Sequence, residues 1–321
     1  MGRSNNQPLL ADASYSVNGL TTNSAANAAE RVPFVGLSPL LCRLESSGNS
    51  NYDSLQATLK KDMSHGFQFL AAYTYSKSID DAGDSLGAAI SGTFGLPITG
   101  QVVYNDQNDV AAQRGVSDFD RTHRLVFSGT WSVPGPDHAT SAAIRKLGGG
   151  WGISGIATLQ SGRPFSILDS AAGTLFGPAT IYTTGSLATG ATLGDAGRSG
   201  SVGSRVNEFF NTKTFVPAPY IPDGGLIDGK YPGSGGGTVF GSLGRNILRG
   251  PDQQDFDMAA IKTTPLTNRV KLTFRWEIFN ALNRPNFANP SNDVSTSSTF
   301  GVISALTVNP RIMQYALKLQ F

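Results

Sequence analysis

The stretch Val270-Lys271-Leu272-Thr273-Phe274-Arg275-Trp276-Glu277-Ile278-Phe279 decides how the chain is read. Val270, Leu272, Phe274, Trp276 and Ile278 fall on one parity, and Lys271, Thr273, Arg275 and Glu277 on the other. A period of two places the first set on one face of an extended strand and the second on the opposite face. Ten such residues match the ~9–11 that a tilted strand needs to cross a bilayer. An apolar face of this length with charged residues behind it fits a wall between hydrocarbon and water.

The pattern recurs along the chain. Ser54–Met63 alternates, with Leu55, Ala57, Leu59 and Met63 apolar and Lys61 interrupting near the end. A three-residue turn, Ser64-His65-Gly66, leads into Phe67, Phe69, Ala71, Tyr73 and Tyr75 on one face, so this segment reads as a hairpin. Arg124–Val133 and Trp151–Gln160 repeat the alternation, and Asp255–Lys262 is a weaker strand that pairs across Thr263–Asn268. No helical periodicity of comparable quality is present. The last residues place Met313, Tyr315, Leu317, Leu319 and Phe321 on one face and stop on the aromatic ring. That ending resembles the assembly signal of bacterial outer-membrane barrels.

Composition agrees. Charged residues make up 15% of the 321 residues, against roughly 25% in soluble domains, and Gly is abundant at 38. The formal net charge of +2 provides no basic field for nucleic acid. The single cysteine, Cys42, excludes an internal disulfide and Cys-based metal centres. The first residues are polar and show no apolar leader, and no stretch reaches the ~20 apolar residues of a spanning helix. Membrane crossing therefore calls for a closed barrel, since lipid leaves no other way to satisfy strand backbones.

Connections alternate in length. Short ones fall at Ser64–Gly66 and Thr263–Asn268, with a medium one at Pro134–Gly150; long ones run from about Asp80 to Asp118, Gly162 to Asp252 and Asn283 to Thr299. Barrels alternate short periplasmic turns with long extracellular loops. With Phe321 on the periplasmic side, every long connection falls outside. A β-sandwich or solenoid is the soluble alternative, and strand length, aromatics near strand ends and loop asymmetry weigh against it.

Several segments also resemble TonB-dependent transporters of the Oar-like type: Ser47–Gln56, Phe69–Asp80, Asp118-Phe119-Asp120-Arg121-Thr122-His123-Arg124, Gln160–Phe165, Gly244–Pro251 and Phe279–Phe287. The likeness covers about residues 45–321. It implies a roughly 22-stranded barrel with a plugged lumen, preceded by a carboxypeptidase-regulatory-like domain, a plug and a TonB box; none of these N-terminal parts is recognisable here. The expected fold is an all-β, antiparallel transmembrane barrel segment of about 7–8 meandering strands, the C-terminal third of such a barrel. Residues 1–45 form an irregular segment and 46–321 the strands and loops. An eighth strand over Phe34–Leu44, closing a small barrel, is the less favoured alternative because of Pro39. The implied partners are outer-membrane lipid, the barrel-assembly machinery, a plug with TonB, and an extracellular ligand.

Candidate chemistry is sparse, and neither enzymatic activity nor a cofactor is expected. Lys271, Arg275 and Glu277 form a lumenal polar row. Asp118, Asp120, Arg121 and Arg124 read as an ion-pair cluster at the rim; His123 beside Asp118 and Asp120 is the competing, hydrolytic reading. His65 and His138 lie in the short connections, too far away to join it. Asp80, Asp81 and Asp84 offer oxygen ligands for calcium but lack an EF-hand spacing. Gly233–Gly237 lacks the Lys-Ser/Thr of a phosphate loop. Gly244–Pro251 reads as a turn returning the chain to the wall, with ligand contact by Arg245 or Arg249 the lesser reading. Phe165, Phe176, Tyr182, Phe209, Phe210, Phe215, Tyr220 and Tyr231 along the longest loop suit either a ligand platform or a small core of the loop itself.

Overall fold

The computed structural model describes residues 2–4, 6–11, 16–21, 27–37, 42–44, 47–81, 103–106, 109–136, 138, 140–173, 181–221, 237–238, 240–267 and 269–321. Seven long strands build one antiparallel sheet: β1 (Ser50–Ser64), β2 (Phe67–Asp80), β3 (His123–Ser132), β4 (Trp151–Gln160), β5 (Gln253–Pro265), β6 (Lys271–Phe279) and β7 (Ile312–Gln320). Each pairs only with its sequence neighbours, in the order β1 to β7, and a short piece, Gly115–Val116, adds to the end of β2. The sheet is a meander with two open edges, β1 and β7.

Register shows why the alternation matters. Phe67, Trp131, Ile153, Ala260, Trp276 and Tyr315 are successive cross-strand partners from β2 to β7. Leu59, Ala71, Phe127, Ala157 and Phe256 form a second such row. Every strand thus presents its apolar parity to one side, as a single phase across the sheet. Slipping any strand by one residue would turn its apolar set to the other face. The rings also meet: Trp276 and Tyr315 stack at 6.0 Å and 7°. Leu317 stays 71% exposed in this row system, which in water would be costly and against hydrocarbon is favourable.

Several boundaries differ from the sequence reading. β1 begins four residues earlier than Ser54, and β5 extends over 13 residues. The first hairpin turn has two residues, because Ser64 pairs with Phe67 while His65 and Gly66 take φ of 51° and 74°. Two successive positive φ values give the turn that matches strand twist. Gly66 has a second reason to be glycine: a Cβ there would meet the Ser132 carbonyl oxygen at 2.7 Å. The less favoured eighth strand over Phe34–Leu44 does not join the large sheet among the described residues. Only Cys42–Leu44 is extended, and it pairs with Gly2–Ser4 in a separate two-stranded sheet, while 38–41 lie outside the described residues. The N-terminal segment instead packs through buried Arg31, whose guanidinium donates to the Leu9 carbonyl and to Asn27 Oδ1; burial lowers its pKa to about 10.

Lys61 has the apolar parity yet escapes hydrocarbon. Its ammonium reaches the end of the hairpin, donating to Ser64 Oγ at 2.5 Å and the Phe67 carbonyl at 3.2 Å. Long cationic side chains behave this way near an interface.

The single phase yields a prediction. Phe127→Arg places a charge mid-strand on the apolar side and is expected to destabilise the folded barrel by about 2–4 kcal/mol. Thr158→Arg, on the opposite parity beside Asp255, is expected to fold normally. Heat-modifiable migration in urea titrations measures both; equal sensitivity of the two variants contradicts the assigned faces.

Candidate functional site

Two regions carry the polar chemistry: the face behind the apolar wall, and the layer where the long connections meet its rim.

On the polar face, Lys60 and Asp62 of β1 pair at 2.8 Å, and Arg275 and Glu277 of β6 at 2.5 Å. Positions i and i+2 share one side of a strand, so each pair is fixed by local geometry. Both pairs border one cavity of about 590 Å³, together with Ser128, Thr130, Ser154 and Asp257. β1 and β6 are five strands apart, roughly 24 Å on a flat sheet at ~4.8 Å per strand. Sharing a cavity therefore requires the sheet to curl with its polar face inward. Of the row expected from sequence, Arg275 and Glu277 reach this trough. Lys271 sits at the far end of β6, opposite Gln320. Lys60, Asp62 and Asp257 were not singled out from sequence, although the polar parity of β1 and β5 pointed to them.

At the other end the connections 81–122, 161–252 and 280–311 come together. Arg245 is buried and pairs with the buried Asp80 carboxylate, also donating to the Asp80 carbonyl at 2.7 Å. Asn246 donates to the Val116 carbonyl and to Asp118 Oδ1, both at 2.6 Å. Arg249 pairs with Asp120, whose other oxygen accepts from Ser78 N at 2.6 Å. The Gly244–Pro251 segment thus bolts the end of the longest loop onto the β2–β3 connection. The ion-pair cluster expected within Asp118, Asp120, Arg121 and Arg124 is rearranged accordingly. Asp120 turns to Arg249, Asp118 to Asn246, and Arg121 to the Ser161 carbonyl and Gln253 Oε1. Arg124 lies on the polar parity of β3, opposite Gln160. Desolvation, followed by repulsion from Arg163, Arg249 and Arg124, lowers the pKa of Arg121.

Other motifs singled out in the sequence have the same employment. Gly162 lies so close to the Gly250 carbonyl that a Cβ would sit 1.8 Å from its oxygen. Asn286 both accepts from Gln254 N at 2.6 Å and donates to its carbonyl at 2.9 Å, acting as one more strand residue beside β5. Asn280, at φ 47°, ties Arg284 and Asn309 together through its amide.

The loop aromatics resolve toward a core of their own. Phe165, Phe210, Phe215 and Phe300 pack with Ile167 and Leu243, and Phe210 meets Phe300 edge-on at 5.1 Å. Phe209 is half-buried against them, with Arg205 5.1 Å over its ring. Phe176 and Tyr231 lie outside the described residues, as do the side chains of Tyr182 and Tyr220. Beside this core, Arg198, Arg205 and Arg249 edge a cleft of about 360 Å³.

The other candidates do not assemble. His123 Nδ1 is 2.8 Å from Tyr73 OH, and its ring lies against Tyr75 on the apolar parity, whereas Asp118 and Asp120 are engaged elsewhere. Asp81 accepts from Asn49 N at 2.7 Å and Asp80 from Arg245, while Asp84 and Gly233–Gly236 lie outside the described residues. No acidic or histidine cluster able to hold a metal occurs among the described residues.

Two predictions follow from the rim. Arg245→Met strands the Asp80 carboxylate in a buried site and is expected to cost about 3–5 kcal/mol of local stability. Protease cleavage within 162–252 is the measure, with the strands still heat-modifiable; unchanged resistance refutes the bolt. Asp293 supplies a pH response. Burial raises its pKa, but hydrogen bonds from Ser170 and Ser295 outweigh this and hold the carboxyl below the usual range. A depressed pKa contributes stability above the ordinary carboxylate value that is lost as pH falls through the folded one. Hydrogen exchange at residues 168–173 is therefore expected to rise below pH of about 4, and Asp293→Asn to flatten that response.

A family model described as outer membrane beta barrel domain matches residues 2–314. No curated protein and no solved structure matches the chain. The in-phase apolar wall, the inward polar trough and the match over nearly the whole chain agree: the protein belongs to the outer membrane beta barrel domain family and resides in the bacterial outer membrane.

Proposed function

We infer that the seven strands are wall strands of a TonB-dependent outer-membrane transporter, with the polar trough lining its passage and the loop layer forming its extracellular mouth. The trough carries the reading. A purely structural wall has no need of Lys60, Asp62, Asp257, Arg275 and Glu277 around one cavity of about 590 Å³, whereas a conduit for a polar solute does. The motif likeness to Oar-like transporters supports the same choice. In this reading the chain supplies contacts and orientation, and no bond is made or broken in it. Met313, Tyr315, Leu317, Leu319 and Phe321 are the row this reading offers to the barrel-assembly machinery, and TonB supplies energy through a plug.

The self-packed loop layer favours a second reading, a surface barrel whose loops hold a partner with no transport behind them. One experiment separates the two. Cells carrying the full protein are compared with and without a protonophore, and with and without TonB, for uptake from a labelled solute library. Uptake lost in both treatments supports the transporter; surface binding that persists, with no uptake in either state, supports the adhesive barrel. Arg275→Ala with Glu277→Ala is expected to lower uptake several-fold while leaving heat-modifiable folding intact.

A further inference from the structure

The connection between β3 and β4 contains a seven-residue helix, Ala142–Gly148, whose placement the wall does not require. Its Ile144 and Leu147 are 55% and 72% exposed. At about 100° per residue these two sit about 60° apart, and Arg145 and Lys146 are centred on the opposite side. The helix is thus apolar on one side and cationic on the other.

Its position is fixed by the wall. Lys262 and Trp151 are cross-strand partners on the apolar parity, in one row with Phe274 and Leu317. Lys262 Nζ donates to the carbonyls of Lys146, Leu147 and Gly149 at 3.0, 2.7 and 2.7 Å, and lies 4.9 Å over the Trp151 ring. Trp151 Nε1 donates to the Leu147 carbonyl at 3.0 Å. These bonds satisfy the carbonyls that a helix leaves open at its C-terminus. Because both donors point from the lipid side of the wall, they hold the helix beside that side. The row lies near the short-turn end, which in such barrels faces the periplasm.

We propose that the Ala142–Gly148 helix is an interfacial anchor, lying in the periplasmic leaflet with Ile144 and Leu147 among acyl chains and Arg145 and Lys146 on phospholipid phosphates. Continuity with the wall selects lipid as the occupant, since the helix is bonded to side chains that already face it. Charge agrees: a cationic side opposite an apolar one is the pattern of helices that lie in a headgroup layer. The cationic side also flanks a cleft of about 300 Å³ formed by Arg145, Lys146, Gly150 and Thr264. The proposal rests on the barrel assignment and is independent of transport.

The test uses the full protein in lipid vesicles, with Cys42→Ser and an environment-sensitive fluorophore on Ile144→Cys or, in a second protein, Leu147→Cys. Leu317→Cys reports the lipid-facing control and His65→Cys a turn control. Blue-shifted emission at both helix positions, quenched by nitroxide lipids as at Leu317, is the expected result. Water-like emission without quenching overturns the proposal, as does blue-shifted emission that nitroxide lipids leave untouched, which would mean a protein neighbour. For the headgroup half, quenching is compared in vesicles with and without phosphatidylglycerol. It is expected to deepen with the anionic lipid, to lose that gain in Arg145→Gln/Lys146→Gln, and to ignore added inorganic phosphate. A gain that survives the double variant, or competition by free phosphate, sinks that half.

Discussion

The whole molecule depends on one constraint: seven strands must keep the same phase of alternation relative to one another. A row such as Phe67–Trp131–Ile153–Ala260–Trp276–Tyr315 exists only if five successive registers are all correct. The hydrogen-bond ladder alone does not choose among registers, because any slip by two residues preserves it. Parity is enforced by the solvents, since hydrocarbon on one side and water on the other penalise an odd slip along the whole strand. The turns then select within a parity, as the two-residue His65-Gly66 turn does for the first hairpin.

Exceptions to the parity are instructive because each has an escape. Lys61 and Lys262 lie on the apolar side, close to the short-turn end, and both ammonium groups find carbonyl oxygens there. A cation near the interface costs little where one at the midplane costs several kcal/mol. At the opposite end the constraint reverses. There the sheet must be joined to long polar connections without leaving charges buried alone, and Asp80–Arg245 and Asp120–Arg249 achieve this by neutralising each other across segments more than a hundred residues apart. The loop layer is a small soluble fold with its own phenylalanine core, set on a membrane wall.

The wall was therefore legible and the rim was not. β4 and β6 can be read from their sequences almost to the residue, because period-two alternation is a local property and bilayer thickness sets strand length. Asp255–Lys262 reads as weak because Ala259 and Ile261 put apolar side chains on the polar parity, so the full extent of β5 is hidden. The Asp118–Arg124 segment shows the other limit. Asp120 has Arg121 next to it in sequence yet bonds Arg249, a choice set by loop closure that no local pattern records. Several of the segments that carry the family likeness are such closures: Gly162, Arg245, Asn246, Asn280 and Asn286 are all spent on joining loops to strands.

Open edges make the final step. β1 and β7 each leave one row of N–H and C=O groups without a partner strand in the described sheet, while Leu55, Leu59, Leu317 and Leu319 on the same strands are apolar and exposed. A lipid-facing strand cannot keep unpaired backbone groups, since each costs several kcal/mol in hydrocarbon. Water would accept the backbone edge but reject the leucines. Both demands are met when each edge pairs with a strand that continues the same phase. A curled sheet with its polar face inward satisfies that rule by closing around a water-filled interior.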